Sequence, residues 1–593
     1  MIFTRARRFE NRTCLVNKEN GRWREIPWSE VGEETGTFAN GLLALGIRKG
    51  DCVSILSENR KTWLYADFGI LAAGGVTVTI YPSLLADEVA YIISNSGSRF
   101  VVVSKQDQLD KVLAHRPDLP TVEKIIVLDE YREKDDPRIL GVTSVQEMGR
   151  VYRSKNPNDL DRRIESIGPD DLSTLVYTSG TTGPPKGAMI THGNILFVVH
   201  SLDQVISLTD RDRTLSFLPY CHVYERMGGT FTSLYQGVVI ALAESFDRLA
   251  ANMQEIKPTM VLGVPRVYEK IYSAVLKSVE ESNPVRRRIF AWAREVGAQA
   301  SPYLLRDRKL PLSLRWQFAL ADRLVFEKLR QKFGGRIRFF VTAAAPISKE
   351  IIEFFHSLGI LILEGYGLTE TSAPTNVNRP DWVKFGTVGP PLPGVQIKLD
   401  EDGEILVKGG NVFKGYFRDP GLSRQVFTED GWFRTGDVGE IDTDGFLRIT
   451  DRKKDILITA GGKNIAPQNI ENLLKVSPWI SEAMIFGDRR KYLVAILTLD
   501  ETRIKAYARE EGLKSESMED LVREPTIKKL IQKEIDKKNQ GLPSFSTIKK
   551  FQVLPRQFTL EDGELTPTLK LKRRVIAQKF KDMIDAMYEE AFD

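Results

Sequence analysis

The sequence predicts an α/β protein with a large N-terminal domain, residues 1–451, of doubly wound parallel-type sheets plus a small β-barrel or antiparallel sheet. A smaller α+β C-terminal domain, residues 452–593, follows. Three observations predict this. Short apolar runs rich in β-branched residues recur through the first third, and helix-period segments separate them. Beyond residue 385 the texture changes to short strands between Gly and Asp turns. At 451–455 the charge cluster DRKKD marks a boundary, and the chain beyond it is a mixed pattern with Lys- and Glu-rich helices at 502–540.

Taken in order, CVSIL (52–56), VTVTI (76–80), FVVVS (100–104), KIIVL (124–128) and STLVY (173–177) read as buried strands. Continuous apolar strands alternating with helices such as WLYADFGILAAG imply a parallel sheet covered on both faces. The uncharged stretch from Phe68 to Ala86 contains Gly74, Gly75 and Pro82. It reads as a helix end, a strand and a turn, not as a membrane span. Residues 283–335 read as helical, stopped by Gly334 and Gly335. Leu320, Leu324, Leu329 and Phe333 form an apolar stripe there, flanked by Arg315, Arg323, Lys328 and Lys332. The simpler expectation is a helix packed on its own domain. The alternative is a basic amphipathic face in weak peripheral contact with a membrane surface. GVQIKL, GEILVKG and GFLRIT are the short strands of the later region.

The chain has 593 residues, and 84 Lys plus Arg stand against 79 Asp plus Glu. That excess is too small to indicate a nucleic-acid partner and is compatible with anionic substrates. Cys14, Cys52 and Cys221 are scattered, with no CxxC pair. A disulfide framework and a zinc site are therefore not expected, and a cytoplasmic setting is. The N-terminus has no apolar core of a secretory signal.

The stretch YTSGTTGPPKG (177–187) follows a predicted buried strand directly. Glycine allows backbone N–H groups to approach phosphate oxygens, hydroxyls on Thr178, Ser179, Thr181 and Thr182 add donors, and Lys186 adds charge. It is not the NTPase loop G-x-x-x-x-G-K-[ST], because Lys186 follows Pro185 and no Ser or Thr follows it.

The stretch resembles the signature of the AMP-forming adenylating enzymes. The similarity continues in order through LPYCHVYER (218–226), GYGLTETS (365–372), the run from Asp430 to Leu457, GGKNIAPQNIE (461–471) and LTPTLKLKRR (565–574). The last motif and the 430–457 run are most similar to the long-chain fatty acyl-CoA synthetase branch. The resemblance implies ATP-dependent activation of a medium-to-long-chain fatty acid to an acyl-adenylate, then transfer to CoA with release of AMP and pyrophosphate. ATP, Mg²⁺ and CoA are the implied cofactor and co-substrates.

By that resemblance Thr178, Ser179, Gly180, Thr181, Thr182, Gly183 and Lys186 handle the outgoing pyrophosphate. Glu370 holds Mg²⁺ with help from Thr181, and Thr369 touches the α-phosphate. Gly365, Tyr366 and Gly367 lie at the adenine, with Tyr366 stacking on it, and Ala343, Ala344 and Ala345 line the adenine and acyl sites. Asp437 accepts from the ribose hydroxyls, and Arg452 reaches the ribose and phosphate. Lys454 falls at the hinge about which the C-terminal domain is mobile, and Lys570 is the adenylation lysine. Lys572, Arg573 and Arg574 are so near that charge alone does not choose among them. His222 is a candidate for positioning the substrate, and Gly461 and Gly462 let the pantetheine pass.

Each residue also has an ordinary reading. Glu370 could be a solvated or capping glutamate, Tyr366 a core aromatic, Asp437 a turn cap, Lys454 part of a solvated cluster and His222 a structural histidine. Two other functions share the motifs: an acyl-AMP ligase that loads a carrier protein, and a catalytically silent lipid-binding or scaffold protein.

Overall fold

The computed structural model describes residues 1–133, 135–178, 184–306, 308–566 and 570–589. CVSIL and VTVTI form the strands Cys52–Leu56 and Val76–Ile80, every residue of which is buried. They belong to a seven-stranded sheet in the order Ile139–Gly141, Lys124–Val127, Phe100–Val103, Cys52–Leu56, Val76–Ile80, Leu172–Thr178, Lys186–Thr191. All neighbours are parallel except the last pair, a hairpin. Burial on both faces explains the unbroken apolar runs.

An eight-stranded sheet stands beside it. Its parallel centre is Phe339–Thr342, Met260–Gly263, Arg213–Ser216 and Val239–Leu242. Ile362–Tyr366 and Asn376–Val377 extend one edge, and the hairpin of Thr13–Glu19 with Arg22–Pro27 extends the other. The region after residue 385 takes the antiparallel form of the two expected. Gln396–Leu399, Glu404–Lys408, Phe433–Ile441 and Leu447–Arg452 pair in chain order.

The C-terminal part carries a three-stranded sheet of Ile480–Phe486, Leu493–Leu499 and Ile548–Leu554. Its middle strand is wholly buried. Leu474, Ile504, Ile527, Ile531 and Ile535 cover one face, and Ile576, Ile584 and Met587 cover the other.

The 283–335 region is helical, but its apolar residues divide. Helices Pro284–Leu304 and Leu312–Ala321 pack together, and a π turn at Asp322–Phe326 leads into Glu327–Lys332. Leu314, Ala321, Phe326 and Phe333 are buried, and Leu329 packs against them. Leu320 and Leu324 are exposed. The segment does pack on its own domain, through Leu329 and Phe333 of the expected stripe and not through Leu320 and Leu324. The π turn at Asp322–Phe326 breaks the α-helical register between the two halves, so the four residues do not share one face. Among the described residues no helix is long and apolar enough to cross a membrane.

One buried ion pair ties the two large sheets together. Asp67, on the helix Lys61–Ala72 of the first sheet, meets Arg226, on the π turn Tyr224–Phe231. Arg226 Nε donates to Asp67 Oδ2 at 2.9 Å and Nη2 to Oδ1 at 2.5 Å, and the Thr77 hydroxyl donates to Oδ1 at 2.8 Å. Each of the two side chains is 1% exposed. Removing one partner strands a buried charge, so Asp67→Ala is expected to cost about 3–5 kcal/mol. Asp67→Ala combined with Arg226→Met is expected to recover most of that loss. Urea unfolding of both variants, followed at the first transition, checks the pair.

Candidate active site

The site is built where strands end, as in other open α/β sheets. Thr342 closes one central strand, and Ala343, Ala344 and Ala345 follow. Ala344 has φ of +72°, a left-handed conformation that a residue with a Cβ rarely adopts. Tyr366 closes the neighbouring strand Ile362–Tyr366, after Gly365. Gly367 then lets the chain turn back on itself. A Cβ there would lie 2.8 Å from Pro374 Cα, so no larger residue fits. A short 3-10 turn at Thr369–Thr371 presents Thr369 and Glu370.

Two polar pairs form around this turn. The Tyr366 hydroxyl donates to Asp437 Oδ2 at 2.6 Å, and Arg452 pairs with the same carboxylate, its Nε 3.0 Å from Oδ1. Asp437 and Arg452 face each other across the antiparallel strands Phe433–Ile441 and Leu447–Arg452, so sheet register brings them together. Burial and the Asp437 carboxylate push the Tyr366 phenol well up, and it stays protonated as a donor. The Asp437 charge is the main reason the Arg452 guanidinium is held above its ordinary range. Two donors leave Asp437 with further accepting capacity, since a carboxylate has about four lone-pair sites.

Glu370 is held by a residue the sequence reading did not single out. The Tyr416 hydroxyl donates to Glu370 Oε1 at 2.7 Å. Tyr416 arrives because the segment around it pairs with the hairpin strand Lys186–Thr191: Phe417 N–H donates to Gly187 O at 2.8 Å and Met189 N–H to Gly415 O at 3.0 Å. Lys186 lies opposite Thr178 in that hairpin, with its ammonium 5.8 Å from the Tyr416 ring centre. Glu370 Oε2 has no hydrogen-bond partner among the described residues. The signal in the sequence was slight, an aromatic hydroxyl after Gly415 in VFKGYF. Ser179, Gly180, Thr181, Thr182 and Gly183 lie outside the described residues.

Lys570 enters from the C-terminal part on a hairpin. Thr566 N–H donates to Lys570 O at 2.8 Å, and Lys570 N–H donates to Thr566 Oγ1 at 3.0 Å. The hairpin is anchored by Glu564, 0% exposed, which Arg556 contacts at 2.6 Å and Lys579 at 3.0 Å. The Lys570 ammonium is pushed down to about 8, first by loss of water and then by the Arg452 charge, with Asp437 acting the other way. Its charge in turn acts on His222, whose imidazole is pushed down to about 3, chiefly by burial. His222 Nδ1 accepts from Tyr224 N–H at 3.1 Å, which leaves the proton of the neutral ring on Nε2.

The structure thus brings Tyr366, Asp437, Arg452, Lys570 and His222 within electrostatic reach, with Glu370 and Lys186 alongside. Of the neighbouring cations that charge alone did not separate, Arg573 is committed elsewhere, donating to Glu471 at 2.6 Å and to Ile485 O at 2.8 Å. Lys454 lies in the turn after the strand Leu447–Arg452, where Asp455 N–H donates to Arg452 O at 2.9 Å. Gly461 and Gly462 are not brought to this cluster. They form the exposed tip of the small hairpin Leu457–Ile458 with Asn464–Ile465, and Gly462 N–H donates to Thr459 O at 2.8 Å. The cysteines take no part: all three are buried and free, and burial raises each thiol, that of Cys52 to about 11.

Polar contacts join the C-terminal part to two helices of the large domain, Pro265–Glu280 and Lys349–Ser357, and Val476 packs into the large domain's apolar cluster. Arg266 pairs with Glu482, Lys475 lies 3.7 Å from Glu269, and Lys538 lies 3.7 Å from Glu350. Arg503 donates to Ser273 O at 2.7 Å.

Comparison with known proteins agrees with this architecture. The family described as AMP-binding enzyme matches residues 2–417, and the AMP-binding enzyme C-terminal domain matches residues 454–592. A long-chain-fatty-acid–CoA ligase, FadD15 of Mycobacterium bovis, is 34% identical over 597 residues, covering 100% of this chain and 96% of its own. ACSBG2 of Xenopus laevis, also named a long-chain-fatty-acid–CoA ligase, is 33% identical over 98% of this chain and 82% of its own. Among solved structures, the anthranilate CoA ligase AuaEII in complex with anthranoyl-AMP shares the fold. It has a TM-score of 0.74 at 21% identity, over 99% of this chain and 97% of that one. By fold, cleft and full-length similarity, the chain belongs to the AMP-binding enzyme family.

Proposed function

We propose that this enzyme joins a medium-to-long-chain fatty acid to CoA, using ATP and passing through an acyl-adenylate. The observation that carries the reading is that Arg452 and the Tyr366 hydroxyl meet on Asp437, with Lys570 within reach of the Arg452 and Asp437 charges and Glu370 within reach of Arg452. Full-length relatives named long-chain-fatty-acid–CoA ligases support the substrate class.

In the first half-reaction a carboxylate oxygen attacks the α-phosphorus of ATP and pyrophosphate leaves. An anion must approach a polyanion, so placed positive charge carries the catalysis. Lys570 neutralises charge between the carboxylate and the α-phosphate, and Thr369 donates to the α-phosphate. Asp437 accepts from the ribose hydroxyls. Its bond to the Tyr366 hydroxyl also fixes the ring plane against adenine. Ala343, Ala344 and Ala345 line the same side, and Thr178 and Lys186 meet the departing phosphates. Neutral His222 positions the acyl carboxylate as a donor through Nε2.

Glu370 fits a magnesium ion: Tyr416 occupies one carboxylate oxygen and the other is left for a hard cation. With Thr181 it would hold the ion, which supplies charge neutralisation at the phosphates.

In the second half-reaction the CoA thiol sulfur attacks the acyl carbon, the thiol proton leaves and AMP departs. Gly461 and Gly462 must then reach the cleft, so the C-terminal domain, from residue 452 onward, turns about Lys454 and gives up the contacts of Arg266, Lys475, Arg503 and Lys538. No carrier protein is needed for this step.

Incubation with ATP, Mg²⁺ and CoA over carboxylic acids from acetate to long fatty acids is expected to yield AMP and thioester at rates that rise beyond the short acids. A preference for acetate, an aryl acid or an amino acid overturns the substrate class. Acyl-adenylate without free-CoA thioester favours a carrier-loading ligase.

The half-reactions separate the two lysines. Lys570→Ala is expected to slow adenylation on the order of 10²–10³-fold, the usual loss for one electrostatic donor, and to leave thioester formation from preformed acyl-adenylate near normal. Lys454→Pro fixes φ at the hinge and is expected to spare adenylation and block the thioester step. Both variants slowing the same step sinks the assignment.

Lys570 acts only when protonated, and its folded-state pKa of about 8 lies below the ordinary lysine range. The charge is therefore complete below that value and is lost as pH rises through it. Adenylation kcat/KM for ATP, which reports the free enzyme, is expected to fall above about pH 8, and Lys570→Arg is expected to remove that alkaline limb.

A further inference from the structure

Among the described residues, the outer face of the segment Leu312–Lys332 is left exposed. Leu312, Trp316, Leu320 and Leu324 follow one another at four-residue spacing and are 75%, 77%, 51% and 39% exposed. The row is about 18 Å long at the α-helical rise. The opposite face satisfies the fold: Leu314, Ala321 and Phe326 are buried, and the Phe318 and Phe326 rings meet at 5.6 Å. Nothing in the packing of the large domain therefore requires the outer row to be apolar.

The charges beside the row are one-sided. Arg315, Arg323, Lys328 and Lys332 are exposed and have no ion-pair partner among the described residues. The segment's two acids are Asp322 and Glu327, and Arg330 neutralises Asp322 at 2.7 Å. A row of Leu and Trp between unpaired cations has the chemistry of a helix lying in a lipid interface, with the indole at headgroup depth. A second copy of the chain is a poor occupant, because a two-fold contact would set these cations against their own images.

We infer that this face docks on the surface of an anionic bilayer. Leu312, Trp316, Leu320 and Leu324 enter the boundary between headgroups and acyl chains, and Arg315, Arg323, Lys328 and Lys332 meet lipid phosphates. The docking stands apart from the ligase reading. Where that reading also holds, docking places the cleft beside a substrate that partitions into the bilayer.

The test uses the full chain with vesicles of phosphatidylcholine alone and of phosphatidylcholine mixed with phosphatidylglycerol. Flotation is expected with the mixed vesicles at low salt, and weakly or not at all with phosphatidylcholine or at high salt. Arg315→Ala, Arg323→Ala and Lys328→Ala together are expected to weaken binding on the order of 100-fold, at about 1 kcal/mol per cation. Leu320→Ser with Leu324→Ser is expected to weaken it as well, while the thermal melt and ATP–pyrophosphate exchange with a soluble acid stay at parental values. Vesicles with brominated acyl chains are expected to quench tryptophan emission in the parent and not in Trp316→Phe. Lys570→Ala is expected to bind vesicles like the parent, so loss of activity and loss of docking are separable. Four results overturn the proposal: no binding to mixed vesicles at low salt, binding indifferent to the triple substitution, quenching that persists in Trp316→Phe, or a dimer that Leu320→Ser dissolves.

Discussion

Arg452 and Lys570 lie within reach of one another's charge, and that repulsion constrains the candidate site. Arg452 is held by Asp437 within a single antiparallel register, while Lys570 comes from another domain and is depressed by the Arg452 charge. Such a pair persists only if the backbone on each side is fixed independently of it. For Lys570 that fixing falls to a carboxylate with no exposure, Glu564, clamped by Arg556 and Lys579 beneath the hairpin. Two like charges beside one carboxylate make a setting that favours an anion.

The C-terminal part meets the helices Pro265–Glu280 and Lys349–Ser357 through the ion pairs and hydrogen bonds of Arg266, Lys475, Arg503 and Lys538, and Val476 packs into the apolar cluster of the large domain. Polar interactions of that kind are individually worth little and exchange readily for water.

The sequence was most readable where a residue's burial is uniform. The strands at 52–56 and 76–80 have the bounds their β-branched runs imply, because both faces are covered and no polar position interrupts them. The motifs named a candidate site, and chemistry alone left Lys570 unresolved from Lys572, Arg573 and Arg574. Only the fold shows that Arg573 is spent on Glu471 and Ile485. Tyr416 was not legible, since its contact with Glu370 crosses 46 positions and depends on the pairing of Gly187 with Phe417. Leu320 and Leu324 were misjudged with Leu329 and Phe333 because apolar residues near helical spacing do not reveal the π turn at Asp322–Phe326 that breaks the row.

The burial of Cys14, Cys52 and Cys221 has a consequence for selectivity. An acyl-adenylate is a strong electrophile, and any thiolate in reach would intercept it. Cys221 is the neighbour of His222, yet burial raises its thiol far above neutral pH, as it does for the other two. The enzyme makes an activated acyl group in the company of its own sulfur and keeps that sulfur inert. The incoming thiol meets no competing thiolate from the chain's own cysteines.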